Sequence, residues 1–301
     1  MGNVILSAFS DEYADSIEEQ LFALKHFGFS HMEVRALNGK NISLMSREEV
    51  LEAKRLVDAA GIKASAIGSP LGKIRLDQDM DAHMEMAKRI FSYANQLGAK
   101  YIRVFSFYPP TGKDITAMKR EVLTAMEKLV VLARQYGVTL CHENEAEIYG
   151  AVPSRCREIL DYFGGEVKCV YDMGNYVLEG VDPFPENYEL LKEYIAYFHI
   201  KDALREGAVV PAGLGDAKIK ALLDPHKAYA KDDFFVTLEP HLQTFSGLNA
   251  LVGRSFTNPY QYADAKTAFA DAVARSFGEE NSQAIIGIQM ASAYLGATLA
   301  P

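Results

Sequence analysis

Four short stretches of this 301-residue chain gather side chains able to ligate metals or move protons. "CHENE" supplies His142, Glu143 and Glu145 around Asn144, and "YDMGN" supplies Asp172 with Asn175 three residues on. "FHIKDALR" carries His199, Lys201, Asp202 and Arg205, and "LEPHL" carries Glu239 and His241. Each polar group follows an apolar run, which is how the end of a buried strand reads. Carboxylates with one imidazole form a mostly hard donor set suited to one divalent ion, Mn²⁺, Mg²⁺ or Co²⁺, with Zn²⁺ also acceptable. A cation held this way chelates neighbouring hydroxyl and carbonyl oxygens and acidifies the C–H beside the carbonyl. Carboxylates on the two faces of that carbon could then take a proton and return it inverted.

Bringing these stretches together requires strands that end on one rim. Amphipathic segments, each closed by a glycine and followed by a short apolar run, recur at Gly28, Gly61, Gly98, Gly137 and Gly165, in steps of 33, 37, 39 and 28 residues. A glycine suits the left-handed residue that ends a helix, and the run after it suits a buried parallel strand. In "SIEEQLFALKHF" Ile17, Leu21 and Leu24 share one helical face. With "NVILSAF", "AYFHI" and "DFFVTLE", eight strands alternate with helices, which predicts an α/β fold, a single (β/α)₈ barrel over residues 1–277. In such a barrel the site lies where strands meet the loops that follow them. The spacings of Glu143, Asp172, His199 and Glu239, 29, 27 and 40 residues, fit one βα unit each.

The motifs "HENE", "YDMGN", "FHIKD", "GLGD" and "LEPHL", with "AFSDE" at the first strand, resemble the xylose isomerase-like TIM barrels over about residues 1 to 275. That superfamily holds sugar isomerases, ketose 3-epimerases, inosose dehydratase and endonuclease IV. The resemblance implies one metal ion on Glu143, Asp172, His199 and Glu239, with Glu143 and Glu239 as the catalytic acid/base pair acting through an enediolate. It also implies Arg205 against a substrate oxygen, since the epimerases place an arginine six residues after the metal histidine. Asn175 departs from the epimerases, which carry a histidine there, and leaves room for a relative acting on another polyol or keto-sugar. His241 and Lys201 are further candidates for substrate contact. Glu33 and Arg35 share one face of the second strand, where they would form a buried ion pair near the substrate.

The expected activity is therefore a divalent-metal-dependent isomerase or epimerase of a small sugar or polyol ketone. An inosose dehydratase-like lyase would begin with the same proton abstraction and then expel water. A sugar-binding barrel without turnover would keep the ligands and exchange no proton. An endonuclease IV-like enzyme would need histidines that strands two to four, position 175 and "GLGDAK" do not supply.

Composition agrees. A formal net charge of −9 argues against a nucleic-acid partner. "GLGD" at 213–216 lacks the third glycine of a dinucleotide fingerprint and reads as a loop, with Asp216 capping the next helix. Cys141, Cys156 and Cys169 show no metal-finger spacing and predict buried thiols in a reducing cytoplasm. No apolar run reaches the roughly 20 residues needed to span a bilayer, and the N-terminus is a poor signal peptide. From Asn281 onward the chain carries no charge, so residues 278–301 are expected to pack on the barrel or on a neighbouring subunit of a homo-oligomer.

Overall fold

The computed structural model describes residues 2–243 and 259–277, in which eight parallel strands form a nearly closed barrel with helices between them. The staves are β1 (Val4–Ala8), β2 (His31–Val34), β3 (Lys63–Ile67), β4 (Tyr101–Val104), β5 (Thr139–Glu143), β6 (Lys168–Asp172), β7 (Ile195–Ile200) and β8 (Phe234–Leu238). Hydrogen-bonded ladders run from β2 to β8 in sequence order, and β8 then pairs with β1 from Val4↔Phe234 to Ala8↔Leu238. No ladder joins β1 to β2. Within that region Ser7 Oγ lies 2.7 Å from Ser65 Oγ of β3, which donates to the Met32 carbonyl of β2 at 3.0 Å.

The helices form where amphipathic stretches meet good caps. Ser16 accepts the Glu19 amide at the start of α1 (Ile17–His26), and Ser46 and Glu49 make a reciprocal capping box on α2 (Arg47–Ala59). α3 (Met80–Leu97) and α4 (Lys119–Tyr136) end at Gly98 and Gly137, whose φ values of 78° and 67° are the left-handed geometry that favours glycine. The five glycines of the sequence repeat all take positive φ. α5 (Pro153–Tyr162) opens on a proline, and the short α6 (Met173–Leu178) and α7 (Glu186–Leu191) precede β7. α8 (Ile219–Tyr229) leads into β8, and α9 (Ala265–Phe277) sets Phe269 against Tyr13 and Phe27 and Phe277 against Phe29, all on the chain between β1 and β2.

Two apolar regions hold this together. The larger lies between strands and helices, and Ile17, Leu21 and Leu24 are buried in it as their spacing predicts. The smaller fills the barrel interior with Ala66, Cys141, Val170 and Tyr197, backed by Tyr101 and Phe235. Two residues further along β5, β6 and β7 the same inward face presents Glu143, Asp172 and His199. The interior thus turns from apolar to charged over a single layer.

The "GLGD" loop differs from expectation. Asp216 does not cap α8, whose N-cap position is Lys218; its carboxylate accepts the Arg205 amide at 3.1 Å. Asp202 organises the loop instead, accepting the backbone N–H groups of Ala203, Gly213, Gly215 and Ala217 at 2.8 to 3.0 Å. A Cβ on Gly215 would stand 2.2 Å from Asp202 Oδ1, so glycine is required there by contact. The three cysteines are free and buried. No helix among the described residues is long and apolar enough to cross a membrane. The 278–301 tail, and with it the expected packing on barrel or neighbour, lies outside the described residues.

Candidate metal centre

Strand periodicity decides which side chains reach the barrel mouth. Glu143 and Asp172 end β5 and β6, His199 is penultimate in β7, and Glu239 directly follows β8. The ladders hold them level, pairing Asp172 with His199 and His199 with Thr237. Asn144 and Asn175 tighten this rim. Asn144 exchanges two hydrogen bonds with the Asp172 backbone, and Asn175 donates to the Asn144 carbonyl while its own amide donates to Asp172 Oδ1 at 2.8 Å.

One donor atom from each of Glu143, Asp172, His199 and Glu239 lies within 4.8 Å of the others, and all four residues are buried. His199 Nδ1 stands 2.8 Å from Glu143 Oε1 and 3.2 Å from Glu239 Oε2. Around them run cations already engaged. Lys201 Nζ is 2.7 Å from Asp172 Oδ2 and 3.4 Å from Glu239 Oε2. Arg35 binds Asp11, Glu12 and Glu239, and Arg103 reaches Glu143 Oε2 at 3.2 Å and Glu239 Oε1 at 3.5 Å.

The charges shape one another. Burial raises the Glu143 carboxyl, but His199 and Arg103 outweigh it and hold it at about 2. Glu239 is held well below the usual carboxylate range against the same burial, by Lys201, His241 and His199. Burial pushes Asp172 up despite Lys201, and lifts Glu12 to about 8 despite Arg35. Burial lowers His241 to about 4, with Glu239 pulling the other way.

The residues fit a divalent cation. Six carboxylates, Asp11, Glu12, Glu33, Glu143, Asp172 and Glu239, share this interior with only three fixed cations among the described residues, Arg35, Arg103 and Lys201. Asp172 Oδ2 is buried and accepts no well-directed hydrogen bond, although Lys201 Nζ is beside it. Hard oxygens with one imidazole, no thiolate and a carboxylate oxygen that accepts no directed hydrogen bond are what Mn²⁺, Mg²⁺, Co²⁺ or Zn²⁺ can use.

Of the other residues singled out by sequence, Arg35, Lys201, Asn175 and His241 join this cluster. Lys201 is buried and turned to Asp172 and Glu239, not paired with Asp202 at the surface. His241 Nε2 is 3.3 Å from Glu239 Oε1, and its amide donates to Glu12 at 2.8 Å. Arg205 stands apart, its side chain 48% exposed and 3.5 Å from Asp182. Glu33 and Arg35 do share the inward face of their strand, but they do not pair with each other: the Arg35 fork is taken by Asp11 and Glu12, while Glu33 turns to His199 and Tyr197. Sequence reasoning missed Arg103. Its signal was a basic residue alternating with Tyr101 in the apolar run "YIRVF".

A parallel barrel whose mouth gathers three carboxylates and an imidazole defines a class of TIM barrels built around a metal-type site. The chain belongs to the xylose isomerase-like TIM barrel family, whose model matches residues 21–249. It is 29% identical over 132 residues to the probable L-ribulose-5-phosphate 3-epimerase UlaE of Mycoplasma pneumoniae, a match spanning 43% of each chain and so less than half the relative's length. Among solved structures, the IOLI protein with a bound zinc atom superposes with a TM-score of 0.68 at 16% identity, covering 92% of this chain and 98% of that one. The probable 3-DHS dehydratase AsbF of Bacillus anthracis gives 0.68 at 15% identity, covering 93% and 100%. At these identities the superpositions speak for the fold.

Proposed function

We propose that this protein is a divalent-metal-dependent epimerase or isomerase of a small keto-sugar or polyol ketone, with Glu143, Asp172, His199 and Glu239 as metal ligands. The observation that carries the reading is the convergence of Glu143 and Glu239 on His199 Nδ1, 2.8 and 3.2 Å from it, with a donor atom of Asp172 in the same cluster at the mouth of the barrel. A divalent cation bound there polarises adjacent carbonyl and hydroxyl oxygens and lowers the pKa of the C–H between them. Glu143 and Glu239 approach that carbon from opposite faces. One takes the proton, the other returns one, and the configuration inverts. Both carboxylates are held low against burial, Glu143 by His199 and Arg103 and Glu239 by Lys201, His241 and His199, so neither enters the reaction already protonated. Arg35, Lys201 and His241 line the same mouth and orient substrate oxygens, while Asn175 serves through its clasp on Asp172 and Asn144. Arg205 reaches substrate from the rim if its side chain leaves Asp182.

The relative's substrate class, a ketopentose phosphate, is the first to test. A lyase is the second reading, favoured by one observation: the Lys201 ammonium is buried beside Asp172 and Glu239, where it could protonate a departing β-hydroxyl. Three buried free thiols support a reducing, cytoplasmic setting. A small carbohydrate is the partner, with no role for nucleic acid or membrane, and a homo-oligomer is compatible with the uncharged tail.

The test is proton exchange in D₂O, followed by NMR, with Mn²⁺-reconstituted protein, L-ribulose 5-phosphate and a panel of ketoses and inososes. Metal-dependent deuteration of one substrate carbon is expected, falling about 10²–10⁴-fold in Glu143→Gln or Glu239→Gln. A rearranged sugar identifies an isomerase or epimerase, and a dehydrated product a lyase. Tight metal binding with no exchange across the panel would replace the enzyme reading with a sugar-binding barrel.

A further inference from the structure

Glu33 is a buried ionisable group that the proposed reaction does not use. Its side chain is fully buried in the barrel interior, beneath the rim where the four ligands meet. Burying a carboxylate there is costly unless its lone pairs are satisfied. Two partners satisfy it. Tyr197 Oη donates to Oε1 at 3.1 Å, and His199 Nε2 lies 3.0 Å from Oε2. Both partners come from β7, two residues apart on its inward face.

We propose that Glu33 is the positioning residue of the metal centre: it holds the Nε2 proton of His199 from below, so that Nδ1 is the atom offered to the cation. The inference rests on the metal reading given above. The geometry is directional. Nε2 faces Glu33, while Nδ1 faces Glu143 Oε1 and Glu239 Oε2 on the other side of the ring. The tautomer that donates from Nε2 to Glu33 Oε2 keeps its lone pair on Nδ1, and Nδ1 is the nitrogen that stands among the carboxylates of the proposed ligand set. Rotation of the ring to exchange the two nitrogens is opposed by neighbouring rings. Phe9 meets His199 edge-on with centroids 5.2 Å apart, and Tyr197 lies 5.5 Å away on a 59° tilt. A carboxylate behind an imidazole also increases the electron density its other nitrogen donates, the usual purpose of such a pair behind a metal ligand. The strand-two glutamate thus belongs to the site through His199, although it touches neither cation nor substrate.

The test compares Mn²⁺ binding by the full chain, stripped with chelator and retitrated, in wild type, Glu33→Leu and Glu33→Gln. Glu33→Leu is expected to weaken binding about 10–100-fold. Glu33→Gln, which keeps an acceptor oxygen without the charge, is expected to fall between it and wild type. Thermal unfolding of the stripped proteins checks that both variants are folded, so that a loss of affinity is not a loss of structure. A second measurement needs no variant: in zinc-loaded protein labelled with ¹⁵N-histidine, the His199 proton is expected on Nε2 and the metal on Nδ1. Equal Mn²⁺ affinity in wild type and Glu33→Leu, or a proton on Nδ1 with metal on Nε2, would overturn the inference and leave the metal centre standing. Wild-type protein that binds no divalent cation would overturn both.

Discussion

At the scale of single residues, this molecule places charge where the chain can neutralise it and uncharged imidazoles where it cannot. His226 is the clearest case of the second kind. Its ring is buried between Phe198 and Phe234, with centroids 4.7 and 4.8 Å away, and Nδ1 lies 3.1 Å from Tyr188 Oη. Burial lowers it to about 4 from the ordinary 6.5. Below pH 6.5 the unfolded chain therefore takes up a proton that the folded ring refuses until about pH 4. The contribution is present above that window and is lost as pH falls through it. At full expression it amounts to about 3 kcal/mol. Urea unfolding of His226→Leu is expected to show a shallower pH dependence between 6.5 and 4 than wild type, and an unchanged slope would count against this account. The buried cluster of Glu143, Asp172, His199 and Glu239 was legible in the sequence, because each stands out as a polar residue closing an apolar strand. Arg103, Asp11 and Glu12 were harder to read, since their meaning lies in partners up to 229 residues away, such as Glu239 Oε1 for Arg103 and the His241 amide for Glu12.

At the scale of elements, loops are held to strand ends by side chains that mimic backbone partners. Asp202 is the strongest example, since one buried carboxylate receives four backbone N–H groups, from Ala203 beside it and from Gly213, Gly215 and Ala217 in and just after "GLGD". Replacing it by alanine strands several buried donors at once, and unsatisfied donors of this kind cost about 1–3 kcal/mol each. Asp202→Ala is expected to lose hydrogen-exchange protection at Gly213, Gly215 and Ala217 first, and to lower global stability by about 3 kcal/mol or more. Protection that survives the substitution would show that the loop holds itself. The eight strands and their helices were readable from period and punctuation, and every strand is found where its apolar run lies. The role of Asp216 was not, because a cap motif read along the chain competes with a tertiary acceptor. Asp202 takes the loop amides, the Asp216 carboxylate goes to Arg205, and α8 begins without a side-chain cap. The same limit explains Glu33 and Arg35. Strand period puts both inside the barrel, but only the neighbouring strands decide that they point to different partners.

At the scale of the whole molecule, stability and the site are linked through the surplus of negative charge in the barrel mouth. A cation bound to the folded state alone stabilises it by RT ln(1 + [L]/Kd), about 2.7 kcal/mol when free metal is 100 times Kd. Chelation is expected to lower the unfolding midpoint by several degrees, and back-titration with Mn²⁺ to restore it. A midpoint indifferent to both would remove the metal from the centre proposed above.

The missing ladder between β1 and β2 bears on how the chain is made. Among the described residues β1 takes its only ladder from β8, which follows it by more than two hundred residues. During synthesis β1 precedes β8, and its ladder waits until β8 has been made. The β1–β8 ladder cannot form before Leu238 leaves the exit tunnel, and Glu239, the next residue, completes the proposed ligand set. A nascent chain arrested upstream of β8 would carry seven strands and three residues of the four-residue cluster, with β1 still lacking its ladder.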